Sequence, residues 1–195
     1  VAGTLLAFAL FVCTGMIYAC LKFLAEWHSP LTVANYILLG GASGFTLAAA
    51  FATVTAPELV LFLAGWAAII TVLGLISRTA SLVRNARLKP KSTMQTAIGI
   101  KHPKIVQKTQ GFMGGSFNTR EFFHGQPVAV LRGIKWFFLI AVFPLPLLLL
   151  LVGMQGGSGM LVAAFVVQYL GLLAERWFFF AQANHPQNLY YQSIA

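Results

Sequence analysis

The sequence predicts an all-α fold, a polytopic transmembrane helix bundle, on three observations. Apolar residues make up 58% of the 195 positions and charged residues only 9%, against the ~25% charge of soluble domains. The apolar residues fall into five blocks of about twenty, the length that crosses a hydrocarbon core of ~30 Å. Thirteen Lys and Arg stand against four acidic residues, all Glu, for a net charge of +9. That charge is gathered in one stretch, as in a loop that orients a membrane protein. The pattern argues for membrane lipids as the surroundings and against a nucleic-acid partner.

The first span covers about 1–21 and ends at Lys22, Glu26, Trp27, His28, Ser29 and Pro30, a polar, aromatic and proline boundary of the kind found at a membrane interface. Span two, 31–54, carries Gly40 and Gly44 at GxxxG spacing, which lets a neighbouring backbone come close. Packing inside the bundle and a dimer face are both open readings of that pair. A short turn at 55–58 leads to span three, 59–76, so the two form a helical hairpin. Residues 77–133 are the one long hydrophilic stretch and hold ten of the thirteen basic residues. Span four covers 134–152, and Pro144 and Pro146 should kink it where neighbouring helices satisfy the freed carbonyls. Span five, 159–181, follows an uncharged turn and leads into a polar tail, 182–195. The whole chain, 1–195, reads as a single transmembrane domain. It opens at Val1 inside an apolar run with no initiator Met or cleavage signal, so we expect the natural N-terminus to lie upstream.

Placing the basic loop on the cytoplasmic side of a bacterial inner membrane puts the turn at 22–30 and the tail there as well. All four histidines and three of the four carboxylates, Glu26, Glu121 and Glu175, then share one face. Chemistry and partners belong on that face. A membrane haem held by two histidines needs imidazoles in mid-helix, and His28, His102, His124 and His185 all fall in loops or at helix ends, so no haem is expected. Cys13 and Cys20 form no CxxC pair, so no iron-sulfur cluster is expected in this chain. No zinc motif, GxSxG elbow or P-loop is present, and no metal site or catalysis by the chain alone is expected.

Glu175, some sixteen residues into span five, has two readings. It is a structural ion pair, with Arg176 snorkelling to the interface, or a proton acceptor or donor beside a quinone headgroup, with Lys22, Arg132 and Lys135 as cations at its depth. His28, between Trp27 and Ser29, is an interfacial anchor or a contact to a quinone oxygen, and Glu26 stands beside it. In the segment 111–125, Arg120, Phe122, Phe123 and His124 set exposed aromatics among glycine and charge. They mark a docking surface for a partner, an interfacial element packed on the bundle, or a lipid contact.

Three stretches carry a family resemblance: GMIYACLKFLAEWHSPLT (15–32), STMQTAIGIKHPKIVQKTQGFMGGSFNTREFFHG (92–125) and ERWFFFAQANHPQNLYYQ (175–192). They resemble the quinone-reacting membrane-anchor subunits of complex iron-sulfur molybdoenzymes, of the dimethyl sulfoxide reductase anchor (DmsC) type. The likeness is greatest to anchors of the sulfite-oxidizing members. The resemblance implies a haem-free bundle of about eight helices, of which five are visible here, with three absent on the N-terminal side. It implies an anchor that is no enzyme on its own and that exchanges electrons between the pool of ubiquinone or menaquinone and an iron-sulfur electron-transfer subunit. That subunit would serve a molybdopterin catalytic subunit acting as a sulfite dehydrogenase or in the manner of dimethyl sulfoxide reductase. Glu26, His28 and Glu175 are then candidates for quinone binding or proton transfer, and Arg120, Phe122, Phe123 and His124 for docking the iron-sulfur partner. The alternatives are a secondary transporter or channel, and a purely structural anchor without quinone contact.

Overall fold

A computed structural model describes residues 2–89, 93–106 and 127–183 of the chain. Within them the order is α1 (Ala2–Ala19), α2 (Pro30–Thr55), a 3-10 turn (Pro57–Leu59), α3 (Val60–Ala86), a short α4 (Met94–Ile98), α5 (Val128–Val142), α6 (Pro144–Gly153) and α7 (Ser158–Ala181), with no strand among the described residues. Five spans are long and apolar enough to cross a membrane: Ala2–Ala19, Pro30–Thr55, Pro57–Ala86, Val128–Gly153 and Ser158–Ala181. The expected all-α transmembrane bundle is the observed architecture.

Local chemistry sets the helix starts and breaks. Ser29 caps α2 with its hydroxyl on Leu31 N, and Pro30 follows at the first helical position, where its missing N–H costs nothing. The break between α5 and α6 falls at Phe143, whose φ of -113° and ψ of -80° are not helical. Pro146 has no N–H to give Val142 O, and Gln168 of α7 supplies the donor instead, Nε2 to Val142 O at 3.3 Å and to Thr71 Oγ1 at 3.3 Å. Neighbouring helices thus satisfy the freed carbonyl, as a hydrocarbon surrounding requires. Buried threonines close their hydroxyls on their own helix, Thr46 on Ala42 O and Thr71 on Ala67 O.

Helix α2 is the spine, packed against α1, α3 and α7, while α7 also packs on α5 and α6. Small residues make these contacts close. A Cβ on Gly40 would lie 2.6 Å from the Phe11 ring of α1, and one on Gly171 would lie 2.9 Å from the backbone carbon of Ala141. Gly40 therefore serves packing inside the bundle, whereas Gly44 has nothing within 4 Å.

Two boundaries differ from the sequence reading. Helix α3 runs to Ala86, ten residues beyond Ile76, so Arg78 and Arg84 are helical rather than part of the hydrophilic loop. Hydropathy falls at Ser77 and Arg78, but the helix continues because Arg78 turns inward and finds a counter-charge. Helix α5 begins at Val128, six residues before Ile134, directly after Pro127.

Candidate functional site

The hairpin pattern of the helices brings the ends of α1, α3 and α7 and the starts of α2 and α5 to one end of the bundle. Here the turn between α1 and α2 is tied down by its side chains. Trp27 is buried, and its indole Nε1 donates to Phe179 O at 3.0 Å while its ring stacks on Phe179 at 5.2 Å. Tyr18 sits edge-on to Trp27 at 5.2 Å and stacks on Tyr36 at 5.8 Å. Thr32 Oγ1 donates to Trp27 O at 2.7 Å. Aromatic pairs in such offset and edge-on arrangements each add about 0.5–1.5 kcal/mol beyond area burial, so this knot holds the turn against α7. Arg84 of α3 clamps it from the other side, donating from Nη2 to Ala25 O at 2.9 Å and to His28 O at 3.1 Å.

One turn deeper lies a charged cluster. Glu175 is fully buried and places Oε1 2.7 Å from Arg78 Nε, whose side chain is 1% exposed. That contact is a charge pair rather than an aligned hydrogen bond. Its Oε2 meets the guanidinium of Arg176 through Nε and Nη2. Arg176 also lies over the Tyr36 ring at 4.3 Å and the Phe179 ring at 5.0 Å, and Arg78 over Phe138 at 5.6 Å. One carboxylate thus serves two guanidiniums, and the three residues together carry a net charge of +1. Taking such charges out of water costs several kcal/mol per ion, so the pairing and the ring faces are what make the arrangement tenable.

The structure places the three quinone candidates at this one end without joining them into one constellation. Glu175 points into the core and gives both oxygens to arginines. Its second cation is Arg78, not Lys22, Arg132 or Lys135, because α3 extends far enough to bring Arg78 level with it. His28 is exposed and its Nδ1 lies 2.6 Å from Ala19 O, a carbonyl that requires that nitrogen to donate. Glu26 is half-buried in the same turn. Sequence reasoning misses Arg78, Arg84, Tyr36 and Gln168. The first two read as part of the basic loop, and the others as ordinary members of apolar spans. The docking candidates Arg120, Phe122, Phe123 and His124 lie outside the described residues. Among the described residues no three of His, Cys, Asp and Glu gather as a metal site.

Across its whole length the chain is similar to a sulfite dehydrogenase subunit. That relative, from Allochromatium vinosum, is 58% identical over 196 aligned positions covering 100% of this chain. The chain spans 60% of the relative's length. No family model and no solved structure matches it. The expected likeness to a component of sulfite-oxidizing enzymes stands on this identity, and the aligned region takes in the turn at 22–30, the basic loop and the end of α7 alike.

Proposed function

We propose that the chain is the membrane part of a sulfite-oxidizing oxidoreductase of several subunits, and that it exchanges electrons between the quinone pool and an iron-sulfur subunit docked on the basic face. The single observation that carries this reading is the whole-length likeness to a subunit of a sulfite dehydrogenase. The physical arrangement supports it. The chain concentrates its charged and aromatic residues at one end of the bundle, where a lipid-soluble carrier and a docked electron-transfer subunit would meet. We place that end, with the basic stretch, at the cytoplasmic side of the bacterial inner membrane.

A bound quinone supplies two-electron, two-proton redox chemistry, so the site that takes it needs groups that trade protons with water. Of the three candidates, Glu175 holds Arg78 and Arg176 in place, and proton exchange falls to Glu26 and His28 in the turn. His28 is suited to it: it is exposed, and its Nδ1 is committed to Ala19 O, which leaves Nε2 to face outward. Arg84 and Trp27 hold the turn that presents both residues. Arg120, Phe122, Phe123 and His124 are proposed to dock the iron-sulfur subunit by aromatic anchors within a charged rim. The partner that holds the molybdopterin would carry out sulfite oxidation, and this chain catalyses nothing alone.

The test is sulfite-dependent reduction of decylubiquinone in native membranes with and without the chain. Loss of quinone reduction while sulfite oxidation with a soluble dye persists is the expected result. Quinone reduction that survives deletion returns the chain to a structural anchor, and sulfite flux into proteoliposomes bearing the chain would make it a transporter.

A further inference from the structure

Two clefts flank the seam between α1 and α2. One of about 170 Å³ lies over α2 between α1 and α7, lined by Phe11, Tyr36, Leu39, Gly40, Leu172 and Arg176. The other, about 320 Å³, lies on the α3 side and is bounded among others by Phe8, Phe11, Gly41 and Ile70. Phe11 borders both, its ring resting on the bare backbone of Gly40, so one side chain divides them. The smaller cleft is below the ~300–1,000 Å³ of drug-sized ligand sites and suits a single ring, and Phe11 is the side chain it shares with the larger cleft.

Among the described residues one charged side chain lines the smaller cleft. Arg176 sits at its end nearest the aromatic knot, its guanidinium laid on Tyr36, and its Nη1 is buried with no hydrogen-bond partner. With Arg176 counted, the Arg78–Glu175–Arg176 cluster carries one more cation than anions. An apolar cleft along the α1–α2 seam that ends at a surplus positive charge fits one kind of molecule. Its tail is apolar, its head is a flat ring, and that head carries oxygen acceptors and no positive charge.

We propose that this cleft is the quinone seat, with the ring against Phe11 and the edge of Tyr36, a ring oxygen toward Arg176, and the prenyl tail along the α1–α2 seam. The assignment rests on the reading that the chain exchanges electrons with quinone, and it names Tyr36, Phe11 and Arg176 as binding residues that Glu26 and His28 serve with protons from the turn above.

The test is photolabelling of the intact complex with a short-tailed azidoquinone, followed by mapping of the labelled residues. Label on the segments bearing Phe11, Tyr36 and Leu172, competed by decylubiquinone and not by phosphatidylglycerol, is the expected result. Phe11→Trp, which fills the cleft, should weaken labelling about tenfold in a complex that still copurifies, equivalent to ~1.4 kcal/mol of binding. Tyr36→Phe, a milder change, should retain the ring and lose only the hydroxyl, so that labelling stays within about threefold of wild type. Quinone-competed label elsewhere in the chain overturns the seat and leaves the quinone reading intact. Competition by phosphatidylglycerol alone makes the cleft a lipid site and overturns the proposal. Absence of any specific label on the chain overturns both.

Discussion

The two ends of the bundle are made of different amino acids. At the end where α2 and α6 finish and α3 and α7 begin, Ala49, Ala50, Ala64, Ala67 and Ala164 form the core with Leu150 and Leu161, Phe45, Val60, Leu63, Leu149 and Met154 pack against it, and among the described residues no charged side chain is buried there. At the other end Leu24, Trp27, Phe179 and Ala183 form the core, with Tyr18, Leu21 and Phe180 packed against it and the Arg78–Glu175–Arg176 cluster beneath. Helices that meet through alanine approach closely and hold by packing alone, which in lipid is sufficient. Aromatic rings and buried charges are not needed for association, and the charges oppose it unless paired. Their concentration at one end therefore marks the end that does more than hold the bundle together.

The largest effect that sharpens this contrast is expected at Glu175. Glu175→Gln leaves Arg78, 1% exposed, without its counter-charge, and removing one partner of a buried pair costs about 3–5 kcal/mol. The complex should fail to accumulate, read as the amount copurified, and replacing Arg78 and Glu175 together by Met and Leu should restore it in part, because Arg176, 28% exposed, then still lacks its counter-charge. Accumulation of Glu175→Gln at the wild-type level with slowed quinone turnover would return Glu175 to the proton-transfer role.

Next in size, Trp27→Ala removes a buried ring and its bond to Phe179 O, a loss of about 3–5 kcal/mol for an aromatic truncation. Thermal inactivation in detergent should move down, and Trp27→Phe, which keeps most of the stacking, should recover most of the shift. Gln168→Leu, midway between the ends, strips the donor from Val142 O beside the proline break and should destabilise by about 1–3 kcal/mol in the same assay. At the far end, Gly153→Ala sets a methyl 2.5 Å from Cδ2 and 2.7 Å from Cγ of the fully buried Leu161. Its cost of about 1–3 kcal/mol should appear in stability with no change in quinone turnover. The smallest effect is a pure topology readout. In a background with Cys13 and Cys20 replaced by Ser, Lys104→Cys should be shielded from an impermeant thiol reagent in intact cells and Ser158→Cys labelled. The reverse pattern would invert the proposed orientation.

The five spans were legible because block length and hydropathy are set by the bilayer, and the turn at 22–30 because its Trp, His and Pro follow interface chemistry. The end of α3 was not. Arg78 reads as the start of a hydrophilic loop in any local window, and only Glu175, nearly a hundred residues away, makes it a core residue. The break at Pro144 and Pro146 was legible from proline's missing N–H, but the donor that repairs it, Gln168, is a lone polar residue in an apolar span whose partner depends on helix packing. Tyr36 was hidden for the same reason, and so was the place of Arg176 beside it: a cleft belongs to three helices at once and leaves no spacing in any one of them.

The central claim is that quinone chemistry belongs to the charged and aromatic end. It is tested most directly by the rate of quinol formation when the intact complex, reduced with sulfite, is mixed with decylubiquinone. The comparison is between wild type, the Glu26→Gln His28→Ala double variant, and the far-end variant Gly153→Ala. A slowing of ~10²-fold or more is expected in the double variant, the contribution of positioned proton donors, and a wild-type rate in Gly153→Ala. Equal rates in all three, or a slowing confined to Gly153→Ala, would contradict it.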